Sequence, residues 1–111
     1  MEYEERFTQA ELGSVIEQAL IYMCACPAQV AQAILKLREL YRYQLHCAGQ
    51  ADSDVAVHEL ISQSTIQSHA IMQDCMEKII EMEGWDRATL EMPAGLRKRQ
   101  LKEILSDVND G

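Results

Sequence analysis

Two cysteines separated by one alanine and followed by proline, Cys24-Ala25-Cys26-Pro27, stand between two stretches that read as helix. Proline lacks an N–H and clashes with the carbonyl four residues back, so Pro27 kinks or restarts a helix. At the first position of a new helix it is well placed. That sets Cys26 at the N-cap, where free backbone N–H groups and the helix dipole favour a thiolate. Cys47 and Cys75 complete the set. Thiolates and thioethers select soft ions, namely Cu(I), zinc or an iron–sulfur cluster. Two thiols within reach also make a switchable disulfide. Against this, CxC is a weak motif and no CxxC pair at zinc spacing is present. Free cysteines pack as small hydrophobes, and methionines at helical spacing fill cores.

Geometry narrows the choice. A helix from Pro27 to Cys47 is roughly 30 Å long, so its two end cysteines share neither a disulfide nor a metal. The short polar segment 50–53 makes the flanking helices antiparallel neighbours. If residue 47 faces residue 54, Cys26 faces Cys75. The candidate metal or thiol-redox site is therefore Cys24, Cys26 and Cys75, with Met23, Met72, Met76 and His69 near it. Cys47 and His46 meet only His58, at the other end. His58 and His69 share a helix face, but paired zinc-binding histidines are usually four apart, so solvent-facing or core-satisfied roles fit them better.

A second group is basic: Arg97, Lys98, Arg99 and Lys102 on an amphipathic stretch. Such stretches bind acidic protein partners. They also lie intramolecularly against an acidic body, and this one has a net charge of −8. The acidity argues against nucleic acid and anionic membranes as partners. No phosphate-binding glycine loop, G-x-S-x-G or H-E-x-x-H occurs, so no catalytic constellation stands out.

The elements that must position these groups are helical. A chain of 111 residues, rich in Ala, Leu, Glu and Gln, reads as one all-α domain. Thr8-Gln9-Ala10-Glu11 is a capping box that starts the first helix. Leu12, Ile16, Ala19, Leu20 and Met23 follow at helical spacing. After Pro27 the stripe resumes with Val30, Ile34, Leu37, Tyr41 and Leu45, ending near Cys47 with Gly49 as C-cap. Asp52, Ser53 or Asp54 caps a third helix that runs to Glu83, where Gly84 stops it. Its middle, Ser62 to Thr65 and Gln67 to His69, is polar and bends or faces solvent or a partner. Trp85-Asp86-Arg87 folds back on the bundle, and Pro93 opens a fourth helix. Frayed ends are expected near 1–7 and 108–111. The core should include Leu20, Val30, Ile34, Leu37, Ile79 and Leu105.

The expected architecture is a small antiparallel bundle of three main helices and a C-terminal fourth. One short bundle leaves apolar faces over, which points to a homodimer. No apolar leader is seen at the N-terminus and no run is long enough to cross a bilayer, so a cytoplasmic location is expected, with reduced thiols and no cofactor. The leading function is a non-catalytic interaction or regulatory protein binding another protein through helical faces. The alternative is the metal- or thiol-responsive module.

Overall fold

A computed structural model describes residues 2–21, 25–48 and 54–93. They form three helices and no strand: α1 (Gln9–Ile21), α2 (Ala25–Ala48) and α3 (Val55–Glu83). α2 packs between α1 and α3. The expected fourth helix lies outside the described residues.

Local chemistry sets the boundaries. Thr8 Oγ1 accepts from Glu11 N at 3.0 Å while Thr8 N donates to Glu11 Oε1 at 2.9 Å, the reciprocal capping box. Phe7 before the cap and Leu12 after it are both buried in the core, as in a hydrophobic staple. Asp54 caps α3 by accepting from Val57 N at 3.3 Å. Gly84 ends it in the left-handed region, φ 75°. Gly84 N donates to Glu81 O and Trp85 N to Ile80 O, the paired bonds of a Schellman stop. Of the alternatives for the polar middle of α3, a bend or a face to solvent or a partner, the structure has a continuous helix with exposed polar residues. The helix is continuous because its polar middle divides cleanly, with Thr65, Ile66 and His69 inward and Gln63, Ser64, Gln67 and Ser68 outward.

The core gathers Phe7, Leu12, Val15, Ala31, Ile34, Met76, Ile80 and Trp85, closed by Leu90 and Met92. Ile34 is fully buried, while Val30, Leu37 and Ile79 are half-buried. Leu105 and the Leu20 side chain lie outside the described residues. Trp85 folds back as expected and is buried. The turn after it is built on Asp86, whose carboxylate accepts from Ala88 N and Thr89 N. Leu90 completes it with φ 58°, uncommon for a residue with a side chain, and its N–H reaches Asp86 O at 2.7 Å.

Three expectations are corrected. α2 begins at Ala25, so Cys26 lies inside the first turn and Pro27 at its third position. Proline is tolerated there because first-turn N–H groups have no helical acceptor. Leu45, expected on the inner stripe, is 56% exposed. The buried side of α2 runs instead through Ala28, Ala31, Ile34 and Arg38. Finally, residues 2–8 are not a frayed end but are tied across the bundle by the contacts described next.

Candidate functional site

Cys26 is exposed on the first turn of α2, and Cys75 is half-buried on α3 beside Ile71, Ile79 and Met82. Cys24 lies outside the described residues, as do Arg97, Lys98, Arg99 and Lys102. Among the described residues no group of three His, Cys, Asp or Glu side chains is arranged to hold a metal ion. Cys47 is half-buried and does have a neighbour. A hydrogen bond with Cys47 and its charge push the Tyr43 phenol above its ordinary pKa. Thiol chemistry should therefore follow access. With single-cysteine variants at neutral pH, Cys26 is expected to react with a thiol reagent severalfold faster than Cys47 or Cys75. Equal rates would show that the Pro27 turn shields it.

His58 pairs with Gln44 at 2.7 Å, as the short connection requires. Further along, the register departs from equal rise. Arg38, expected opposite Gln63, reaches His69 and Gln73, between about one and a half and three turns further on.

Arg38 is the centre of a buried polar network that the apolar stripes do not announce. Its side chain is 1% exposed. Nε donates to His69 Nε2 at 3.0 Å, and Nη2 donates to Phe7 O at 2.6 Å and to Gln73 Oε1 at 3.1 Å. Nη1 has no hydrogen-bond acceptor and sits 3.6 Å from Glu5 Oε1. Gln73 in turn brackets the N-terminal backbone: its Oε1 accepts from Arg6 N at 2.8 Å and its Nε2 donates to Glu4 O at 2.9 Å. Tyr3 stacks on Tyr41 with ring centroids 4.0 Å apart and lies 4.9 Å from the His69 ring. Its hydroxyl donates to Glu5.

The electrostatics follow from this packing. Burial, then the bond to Glu5 and its charge, push the Tyr3 phenol up to about 12. The same bond, with Arg38 and Arg42 nearby, holds the Glu5 carboxyl below its ordinary value. Burial, then the Arg38 charge, lower His69 below the usual imidazole range.

A second arginine fastens the same segment. Arg87 Nε faces both Glu77 oxygens at 3.2 Å, Nη1 donates to Glu11 Oε2 at 3.1 Å, and Nη2 to Arg6 O at 3.0 Å. Its guanidinium lies 4.1 Å from the Phe7 ring centroid. The sequence does carry a signal for Arg38. It interrupts the apolar series Ala31, Ile34 at helical spacing, as His69 and Gln73 interrupt Ile66, Met76 and Ile80 on α3. A cation on an inward stripe needs buried partners.

Among the described residues the bundle is also open at one end. Buried residues on α1 and on the first half of α2 mark where the two pack. Toward the α2–α3 connection, Leu40, Tyr43, Leu45, Val55, Val57 and Leu60 stay exposed, Leu60 at 68%. Between the helices there, Leu37, Leu40, Leu60 and Ile61 line a groove of about 350 Å³. No described helix is long and apolar enough to cross a membrane.

What these features define is an all-helical protein with a pinned N-terminal arm and an open apolar end. Comparison with protein-family models, with curated proteins and with solved structures returned no match.

Proposed function

We propose that the chain is a non-catalytic interaction protein that binds another protein through its helical faces, a second copy of the chain being its first partner. The observation that carries this reading is the exposed apolar end of the α2–α3 hairpin, around Leu40, Leu45, Val55 and Leu60. Leucines and valines left in water are worth about 1.5–3 kcal/mol each when fully buried. Across a two-fold axis each contributes twice. This gain opposes the association cost, about 4–15 kcal/mol.

Sedimentation equilibrium of the whole chain is expected to give about twice its 12.6 kDa mass. Leu60→Asp combined with Leu40→Asp should return a monomer with an unchanged helical circular dichroism spectrum. A wild-type monomer at several hundred micromolar would remove self-association.

A further inference from the structure

Residues 2–8 carry no helix, and residues 2–7 lie across the cleft between α2 and α3, where, apart from Tyr3 to Glu5, their hydrogen bonds are to residues more than thirty positions away. We propose that residues 2–6 are a latch that closes only over a neutral His69, so that acidification opens it and uncovers Arg38, Tyr41 and Gln73. The geometry requires the neutral ring. His69 Nε2 accepts from Arg38 Nε, so Nε2 must hold a lone pair and the ring proton sits on Nδ1. A proton on Nε2 would turn that acceptor into a donor pointing at a donor. It would also put a second cation 3.0 Å from a guanidinium that is almost wholly buried.

The groups facing His69 come from three elements. From α2 there is Arg38. From the arm there are Tyr3, Glu5 and Arg6, with Glu2 and Glu4 on the same pocket, which Asp74 of α3 also lines. From α3 itself Gln73 lies one turn away, joined through Arg38. Glu5 attracts an imidazolium, while Arg38 and Arg6 repel it. Glu5 is already shared among Arg38, Arg42 and Tyr3, and Arg38 is in direct contact with the ring. Burial and the Arg38 charge outweigh the attraction of Glu5.

Opening has a natural limit. Phe7 is fully buried and Thr8 is locked in the capping box, so the hinge lies just before them. Four further ties do not depend on His69 and are given up on opening: Arg6 to Asp74 at 2.6 Å, Arg6 to Ala70 O at 3.2 Å, Arg87 to Arg6 O at 3.0 Å and Arg42 to Glu5 at 3.7 Å. The sign is fixed by the direction of the shift. His69 titrates lower in the closed state than when released. The closed state is therefore fully favoured above the ordinary imidazole value of about 6.5, and loses ground as pH falls below it. What opens is a cleft whose carboxamide and guanidinium already hold the backbone of a non-helical segment.

The test uses isotope-labelled full-length chain, with the His69 ring and the Arg6 amide followed from about pH 7.5 to about pH 4.5. The expected result is at least a tenfold loss of Arg6 amide protection, with the same midpoint as the His69 ring and below its ordinary value. Helical circular dichroism should be unchanged over that range. His69→Gln offers Arg38 an acceptor that does not titrate, and should hold the protection flat. Protection that persists through the His69 titration overturns the proposal. So does a His69→Gln chain that opens like the wild type, or a loss of protection that coincides with loss of helix.

Discussion

Arg38→Ala is expected to lower stability by about 3–5 kcal/mol, the range for removing one member of a buried charged network. Two consequences add. Phe7 O and His69 Nε2 lose their donor inside the protein, at about 1–3 kcal/mol for each unsatisfied group. The packed stem also leaves a gap. Domains of this size are stable by only about 5–15 kcal/mol, so the variant should sit near the edge of folding. Urea denaturation checks this, with a lowered midpoint at constant slope. Arg38→Lys should recover little, because one ammonium does not serve His69, Phe7 O and Gln73 as the guanidinium fork does. A cost below about 1 kcal/mol would mean that the arm contributes nothing to the fold. In a variant that still folds, His69 loses the nearest cation opposing its protonation, and burial and Arg6 are left to oppose Glu5.

Phe7→Ala is the second large effect, expected at about 3–5 kcal/mol, the usual cost of truncating a buried aromatic ring. Phe7 is fully buried, belongs to the same core as Leu12 and Val15, and carries Arg87 on its face. Its loss should cavitate the core and loosen both ends of the arm. Ile21→Ala is the control. Ile21 is more than half exposed, and its truncation should stay within about 0.5 kcal/mol. Equal costs for the two would show that Phe7 is not a core residue.

The features legible in the sequence were those decided within one or two turns of chain. The capping box at Thr8 and Glu11, the Asp54 cap and the Gly84 stop depend on neighbours a few residues away, and local chemistry settles them. Ile34 was legible because periodicity alone puts it inward. Leu45 was misplaced for the opposite reason. Periodicity says which side of a helix is apolar, but not where along its length a neighbour ends. The burial of Arg38 was hidden because its partners are 31 to 35 positions away and an arginine ordinarily scores as surface. The sequence alone makes residues 1–7 a frayed end because they form no pattern of their own. The groups that order it belong to α2, α3 and the turn at Arg87.

Those long separations matter when the chain is made. The arm is synthesised before its partners, and the donors for its carbonyls come from Arg38, Gln73 and, 81 positions later, Arg87. At roughly 5–20 residues per second, the arm waits on the order of ten seconds for its last partner. During that time Phe7 and Tyr3 are unprotected apolar side chains on a nascent chain. Closure of the arm is thus a late event in synthesis. A chain interrupted between Ala48 and Arg87 would hold α1 and α2 in hand while residues 2–7 remained open to whatever else binds an acidic, aromatic segment.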